Sequence, residues 1–238
     1  LDRSSGVDID ITYSMNGVAS SGDDYNALSE TMTFVAGETS KNIQVTIIDD
    51  VIDEISEDLI LTIDTITIGS VGTANIHTVD ITDNDAPPII EFDIASSPFS
   101  EGAGTVNVRV VLSGESGKSI SVPFTVAGTS DKTGDANPDH TLINGTVTVD
   151  AGLTEKMITF NLVDDGIYED NETVLISLGV PTNAALGTPS LHTLTINDDD
   201  VPPVVTFTNL VSNFDESFGG ALIEVELSVR TEKVVTVD

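Results

Sequence analysis

The chain has 238 residues, of which 40 are acidic and eight are basic, and its formal net charge at pH 7 is −32. This charge excludes binding to nucleic acid, whose phosphates would be repelled, and it opposes a compact fold unless cations neutralise it. No apolar run approaches the roughly 20 residues of a membrane helix, so we expect no direct membrane insertion. Cysteine is absent, so disulfides cannot stabilise small modules in this chain. A bound metal ion is the usual substitute.

The sequence repeats at a constant spacing of 115 positions, without a gap. The matched pairs include Asp24 and Asp139, Asp49 and Asp164, Glu54 and Glu169, His77 and His192, Asp85 and Asp200, and Glu101 and Glu216. Because solenoid repeats run to roughly 20–50 residues, a longer period predicts whole domains. We therefore predict a module over 1–85 that lacks its first strands, a complete module over 86–200, and the first strands of a third module over 201–238.

Short alternating segments indicate the strands of the complete module. Alternation of apolar and polar residues, rich in β-branched types, is typical of half-buried strands. The clearest segments are 105–112, 145–149, 156–163, 172–178 and 192–196. No segment pairs a helix cap with an apolar stripe of helical period. The pattern predicts an all-β fold of tandem immunoglobulin-like β-sandwich modules.

Acidic residues of the complete module cluster in loops next to these strands. They are Glu101, Asp139, Asp164, Asp165, Glu169, Glu172, Asp198, Asp199 and Asp200. If the strands before Asp164 and Asp198 run in the same direction, their loops share one pole of the sandwich. The carboxylates would then repel one another, with Lys132 as the one cation nearby in the sequence.

A hard divalent cation would relieve this repulsion. Calcium takes roughly 6–8 oxygen ligands at about 2.3–2.6 Å in irregular geometry, whereas magnesium needs a stricter octahedron. Zinc and copper favour His or Cys, and the three histidines are scattered. A single acidic loop is more simply a solvated surface. Four groups that recur at a fixed spacing favour calcium binding.

The repeated motifs resemble those of the Calx-β domain family, known from exchanger regulatory loops and large bacterial surface proteins. The matching segments are Gly22–Tyr25, Thr31–Lys41, Val45–Asp50, Asp53–Glu57 and Ile81–Asp85, and then Val163–Asp165, Tyr168–Glu172 and Ile196–Asp200. The resemblance implies calcium ligands at the nine acids of the complete module. In the other modules it implies Asp24, Asp49, Asp50, Glu54, Glu57, Asp83 and Asp85, and Glu216.

Two positions depart from the family pattern. His140 stands where the first module has the aromatic residue Tyr25, although Asp139 keeps its place in the loop. Asn84 replaces the middle of the three terminal aspartates, which lowers the ligand charge and should weaken one ion in the first module.

Together these patterns predict a calcium-binding structural or adhesive segment of a large extracellular or cell-surface protein of bacterial type, in which calcium stiffens loops and intermodule joints. Two alternatives stay open, a calcium sensor that regulates an attached domain and a carbohydrate-binding accessory module. No catalytic site is predicted, since His77 and His192 have no partner Ser or Cys motif.

The expected partners are neighbouring modules of the same array, other proteins and surface glycans. Residues 201–238 match strands that the first module lacks. An open sheet edge is a template for pairing, so head-to-tail strand complementation between chains is a further hypothesis.

Overall fold

The computed structural model describes residues 3–131 and 137–237, which contain β-strands and two short 3-10 helices. The chain divides into two compact units. The first holds Leu1–Pro87 with Ser116–Lys118, and the second holds Pro88–Glu115 with Ser119–Asp238. Neither of the described helices is long and apolar enough to cross a membrane. The predicted all-β class is confirmed.

One antiparallel sheet forms the first unit, with its strands in the order β2-β1-β3-β4. The strands are β1 (Ile9–Gly17), β2 (Thr31–Phe34), β3 (Glu57–Ile66) and β4 (Ile76–Ile81). Tyr13, Tyr25, Leu59 and Leu61 form a buried cluster on this sheet. Buried residues alternate with exposed ones along β1 because successive side chains of a strand point to opposite faces.

Two sheets form the sandwich of the second unit. Its elements are β5 (Ile89–Phe92), β6 (Ser96–Ser100), the 3-10 helix η1 (Glu101–Ala103), β7 (Thr105–Leu112), β8 (Ile120–Gly128), β9 (Gly145–Val149), β10 (Glu155–Asn161), β11 (Ile167–Tyr168), β12 (Glu172–Leu178), β13 (Ala185–Leu186) and β14 (Leu191–Asn197). One sheet has the order β10-β7-β5-β13 and the other β6-β14-β12-β8-β9. Side chains from both sheets, such as Phe92, Val110, Val122 and Leu194, bury each other in one apolar core.

The C-terminal part of the second unit repeats elements that begin the sandwich. It contains β15 (Val205–Phe207), the 3-10 helix η2 (Glu216–Phe218), β16 (Val225–Leu227) and β17 (Arg230–Thr231). Phe207 pairs with Val225 in β15 and β16, and Phe92 pairs with Val110 in β5 and β7, so the two hairpins share one register at the 115-residue spacing. Strand β17 runs parallel to β11.

Candidate metal centre

The sheet topology of the second unit brings the acidic loops together. Strand β6 is parallel to β14 and pairs Ser100 with Asn197, so Glu101 and Asp198 leave the sheet at the same edge. Strand β12 is antiparallel to β14 and begins there with Glu172. In the facing sheet Asn161, at the end of β10, pairs with Thr105 at the start of β7, directly after η1. Because these strands begin or end at the same edge, residues that are distant in the sequence come together there.

Glu101 lies at the centre of the acidic cluster. Its side chain is buried, and its Oε1 accepts a hydrogen bond of 2.9 Å from the backbone N of Asp165. Carboxylate oxygens of Glu101, Asp165 and Asp200 all lie within 4.8 Å of one another. Among the described residues, these three form the set that is close enough to hold one metal ion.

A small cavity joins further carboxyl groups to Glu101. It is lined by Glu101, Asp139, Glu169, Glu172 and Asp198, together with Asp170 and Ile196. The backbone N of Glu169 donates a hydrogen bond of 3.2 Å to Oδ2 of Asp198, which ties the two loops together. Oε2 of Glu172 is buried and has no hydrogen-bond partner. This oxygen is free to accept a cation.

Asp164 and Asp199 lie beside η1 and complete the cluster. A Cβ atom placed on Gly102 would lie 3.4 Å from Oδ2 of Asp199 and 3.6 Å from Oδ1 of Asp164. The hydroxyl of Ser100 donates a hydrogen bond to Oδ2 of Asp199. The structure thus gathers the nine candidate acids of the second unit around one pole.

Several carboxyl groups of this cluster hold protons more tightly than usual. Burial raises the pKa of Glu101 to about 7, and the charges of Asp165, Asp200 and Asp198 add to the effect. Burial also raises the pKa of Glu169 to about 7, with further contributions from Glu232 and Asp139. The crowded, partly dehydrated carboxylates therefore favour any cation that can neutralise them.

Glu172 shows the largest effect of this kind. Burial, a hydrogen bond with the carboxyl group of Asp139 and the charge of Asp139 raise its pKa to about 8. Two carboxyl groups can share a hydrogen bond only if one of them is protonated. Binding of a metal ion there would require loss of this proton.

The candidate acids of the first unit line a single cavity of about 80 Å³. Its acidic lining consists of Asp24, Asp49, Asp50, Glu54, Glu57, Asp83 and Asp85. The loop geometry also recurs: Oδ1 of Asp50 accepts from the backbone N of Ile52 at 2.8 Å, and Oδ1 of Asp165 accepts from the N of Ile167 at 2.7 Å. The Asp50 and Asp165 loops are thus built in the same way.

Glu57 in the first unit matches Glu172 in position, and its pKa is raised in the same way. Burial, a hydrogen bond with Asp24 and the charge of Asp24 raise the pKa of Glu57 to about 7, and its Oε2 is buried without a hydrogen-bond partner.

Asn84 differs from its counterpart Asp199, since its Nδ2 donates a hydrogen bond of 3.3 Å to Oδ1 of Asp49. The amide thereby engages an oxygen that an ion would otherwise contact.

Two lysines that are distant in the sequence reach these acidic loops. In the first unit, Nζ of Lys118 lies 2.8 Å from Oδ1 of Asp53 and 3.9 Å from Oδ2 of Asp83. In the second unit, at the same position of the repeat, Nζ of Lys233 lies 3.0 Å from Oδ1 of Asp170 and 3.9 Å from the centre of the Tyr168 ring.

Sequence reasoning missed both lysines. Lys132, the cation expected from sequence proximity, lies outside the described residues. Lys118 and Lys233 recur at the repeat spacing, and this recurrence is the signal that could have drawn attention to them.

His140 fills the place of an aromatic core residue. It is 1% exposed, its Nδ1 accepts a hydrogen bond of 3.1 Å from the backbone N of Leu142, and its ring meets the edge of Phe160 at 6.2 Å between centroids. Tyr25 is likewise buried in the first unit. The substitution keeps the adjacent Asp139 loop packed against the core.

The chemistry of the cluster fits a calcium ion. Calcium–oxygen distances of about 2.3–2.6 Å allow two oxygens of one ion to lie up to about 5 Å apart, and the oxygens of Glu101, Asp165 and Asp200 are close enough to satisfy this condition. Oxygens of Glu57, Glu172 and Asp200 are buried without partners. Buried polar atoms normally have a partner, so these three indicate places for a ligand.

Comparison with known families decides the classification. The profile of the Calx-beta domain matches residues 5–85 and again residues 83–200. The chain belongs to the Calx-beta domain family. Its Calx-beta repeats span most of the described residues, as the resemblance of the motifs predicted.

Several known proteins are similar to these Calx-beta domains. Sodium/calcium exchanger 1 of Rattus norvegicus is 30% identical over 185 residues, which cover 70% of this chain and 19% of the exchanger. Sodium/calcium exchanger Calx of Drosophila melanogaster is 29% identical over 147 residues, which cover 61% of this chain and 15% of that protein. The chain therefore spans about a fifth or less of these relatives.

Two solved structures are also similar to parts of this chain. The crystal structure of CBD12 from CALX1.2 is 28% identical, with a TM-score of 0.42, and the match covers 54% of this chain and 52% of that one. The crystal structure of the apo-form Calx CBD1 domain is 27% identical, also with a TM-score of 0.42, and the match covers 48% of this chain and all of that one.

Proposed function

We propose that this chain is a calcium-binding tandem module whose acidic loops, and the lysine-bearing segments that contact them, stiffen when the ion binds. The observation that carries the proposal is the recurrence of a buried carboxylate oxygen without a partner at Glu57 and at Glu172. Two unrelated surface loops would not repeat such an unfavourable feature. A shared ligand explains it in both units.

Each unit would supply its own set of ligands to a calcium ion. Glu101, Asp165 and Asp200 would hold an ion in the second unit, and Glu172 and Asp198 lie beside them. In the first unit the cavity acids would do the same, with Asn84 contributing no charge. Bound calcium supplies positive charge, and the loops supply oxygens that strand ends and backbone hydrogen bonds already hold in place.

Calcium binding should stabilise the fold measurably. An ion that binds only the folded chain stabilises it by about 2.7 kcal/mol when its free concentration is a hundred times its dissociation constant. The test is a calcium titration followed by isothermal calorimetry and by the melting temperature. Glu172→Gln and Glu57→Gln should each remove binding from one unit, with Glu115→Gln as the control outside both clusters. Unchanged melting in millimolar calcium would refute the proposal.

The biological use of the ion has two candidates. A structural or adhesive segment of an extracellular or cell-surface protein would be permanently loaded and would need only weak sites. A regulatory sensor is favoured by the similarity to sodium/calcium exchangers. Extracellular modules bind calcium with dissociation constants of about 10⁻⁴–10⁻³ M and sensors with about 10⁻⁷–10⁻⁵ M. The constant measured for this chain therefore separates the two roles.

A further inference from the structure

A three-residue segment of the form Ser/Thr-x-Lys lies against an acidic loop in each unit. The two segments are 116–118 in the first unit and 231–233 in the second. Each pairs in parallel with one residue of the loop, which is Asp53 in the first unit and Tyr168 in the second. The carbonyl oxygen of that residue accepts a hydrogen bond from the hydroxyl of the segment, at 2.9 and 2.7 Å respectively, and another from the backbone N of its middle residue, at 3.0 and 3.3 Å. The two contacts are therefore equivalent.

The middle residue of the segment differs between the units, since it is Gly117 in the first and Glu232 in the second. A Cβ atom placed on Gly117 would lie 2.9 Å from both Cγ and Oε1 of Glu54, which is closer than real Cβ atoms approach other heavy atoms. Glu54 is the counterpart of Glu169, and both are candidate ligands. A side chain at the middle position thus excludes the neighbouring glutamate from the place that Glu54 takes. In the second unit Glu232 carries such a side chain, and Glu169 lines the small cavity of the cluster.

The carboxylate of Glu232 lies at the rim of the second acidic cluster. Its Oε1 accepts a hydrogen bond of 3.2 Å from Nδ2 of Asn137, two residues before Asp139 in the sequence. Its backbone N contacts the carbonyl oxygen of Tyr168, the residue before Glu169. Burial and then the charge of Glu232 are the largest causes of the raised pKa of Glu169. Glu232 therefore adds a negative charge between the loops that hold two of the candidate ligands.

This charge is unfavourable unless a cation balances it. The lysine of the same segment is engaged elsewhere, because Nζ of Lys233 pairs with Oδ1 of Asp170 at 3.0 Å and lies over the ring of Tyr168. A carboxylate beside other carboxylates is repelled by them, but it attracts a divalent ion bound among them. The place of Glu232 is thus costly in the empty cluster and favourable in the loaded one.

We propose that Glu232 is a further residue of the second metal centre, which keeps the side chain of Glu169 in the cluster and strengthens the attraction for the ion. This inference rests on the proposed calcium function. The bulk of the side chain closes the place that Glu54 takes over Gly117, and its carboxylate supplies a charge that glycine does not. Calcium therefore binds more tightly in the second unit, and this effect adds to that of the residues at positions 84 and 199.

Substitutions at position 232 separate the charge from the bulk. In a full-length chain with Glu57→Gln, which removes binding by the first unit, calorimetry with calcium chloride reports the second unit alone. Glu232→Gln keeps the size and loses the charge, and it should weaken calcium binding about tenfold. Glu232→Gly loses both and should weaken binding by a larger factor. Glu226→Gln, at an exposed position of β16, is the matched control and should leave the affinity unchanged.

Two further measurements distinguish the proposed role from a structural one. The difference in affinity between the wild type and Glu232→Gln should shrink in about 1 M NaCl, where the Debye length falls to about 3 Å. In EDTA the melting temperature of Glu232→Gln should be no lower than that of the wild type, because the substitution removes repulsion from the empty cluster. A lower melting temperature in EDTA, or a difference in affinity that salt does not reduce, would overturn the proposal.

The results also separate this inference from the calcium function. If the chain binds calcium and both Glu232→Gln and Glu232→Gly keep the wild-type affinity, the role of Glu232 is overturned and the calcium function stands. If the wild-type chain binds no calcium, both fail. Equal losses in Glu232→Gln and Glu226→Gln would also overturn the proposal, because they would show an effect of net charge alone.

Discussion

Nζ of Lys118 lies 2.8 Å from Oδ1 of Asp53, a carboxylate that is only 3% exposed. The hydroxyl of Ser116 also donates a hydrogen bond of 2.9 Å to the backbone O of Asp53. The segment Ser116–Lys118 thus satisfies a buried acid within the acidic pole of the first unit. A protein cation does part of the neutralisation that the proposed metal ion would complete.

Removing this lysine should destabilise the first unit. In Lys118→Met the charge of Asp53 stays buried without its partner, which we expect to cost about 3 kcal/mol. Hydrogen exchange of the β1 and β3 amides measures the loss in that unit. Lys233→Met is the matched control, because Asp170 is 89% exposed and an exposed pair contributes about 1 kcal/mol or less. Equal effects of the two substitutions would contradict the role of burial.

The same lysine should oppose calcium binding in the first unit. Its Nζ is 3.9 Å from Oδ2 of Asp83, one of the candidate ligands. Loss of this positive charge should tighten calcium binding by about tenfold, or 1.4 kcal/mol. Calorimetry of Lys118→Met tests the effect, with Lys41→Met as a control at an exposed ion pair with Glu38. A weaker affinity in Lys118→Met would show that the lysine organises the site instead of competing for it.

How much of this arrangement could be predicted from the sequence depends on the range of each interaction. Strands 105–112, 145–149 and 172–178 have the bounds predicted, because alternation of buried and exposed side chains is a local property. The predicted strand 156–163 ends at Asn161 instead, because its partner β7 begins at Thr105 and pairs with that residue. Strand ends depend on partners that a local pattern does not contain.

The lysine contacts and the exposed face of the first unit depend on longer-range features. Lys118 contacts Asp53, which lies 65 positions earlier in the sequence. Because only residues near the acids in the sequence were considered as partners, Lys132 was expected and Lys118 was not. His77 and His192 occupy the same place in the repeat, yet one is exposed and the other is buried by β5 and β6. Recurrence identifies equivalent residues but does not say which neighbours surround them.

Without calcium, stability should fall as the pH rises. The pKa values of Glu57, Glu101 and Glu169 are raised to about 7 and that of Glu172 to about 8. Between the ordinary glutamate pKa of about 4.3 and about pH 8, the folded chain binds more protons than the unfolded chain, so the free energy of unfolding decreases with pH. The melting temperature in EDTA should therefore be higher at pH 5 than at pH 8.

Calcium should reverse this dependence, because ligands must lose their protons before they bind the ion. With millimolar calcium the melting temperature should increase from pH 5 to pH 8. Glu172→Gln should flatten part of the pH dependence in EDTA, whereas Glu115→Gln should leave it unchanged. A melting temperature in EDTA that rises with pH would contradict the assignment of raised pKa values to the cluster.

Asn84 in the first unit and Asp199 in the second are the middle residues of the acidic segments 83–85 and 198–200. Their difference in charge should set the difference in calcium affinity between the two units. Asn84→Asp restores a carboxylate and releases Oδ1 of Asp49 from its hydrogen bond, so calcium binding by the first unit should tighten by about tenfold, or 1.4 kcal/mol. The reciprocal change Asp199→Asn should weaken the second unit. Calorimetry of both variants provides the comparison, and a shift of the same sign in both would contradict it.

The two matched histidines test what burial contributes at one position of the repeat. His192→Ala leaves Oγ of Ser97 and the carbonyl oxygen of Ile94, 2.8 Å from Nδ1, without their partner and removes the tilted ring contact with Phe92. Unsatisfied buried groups and a cavity together should cost about 2–4 kcal/mol in the second unit.

His77→Ala should cost no more than about 0.5 kcal/mol in dilute solution, since an exposed side chain away from special contacts contributes little. Urea unfolding of the wild type and both variants measures the two costs. A cost for His77→Ala as large as that for His192→Ala would contradict the difference in exposure between the two rings.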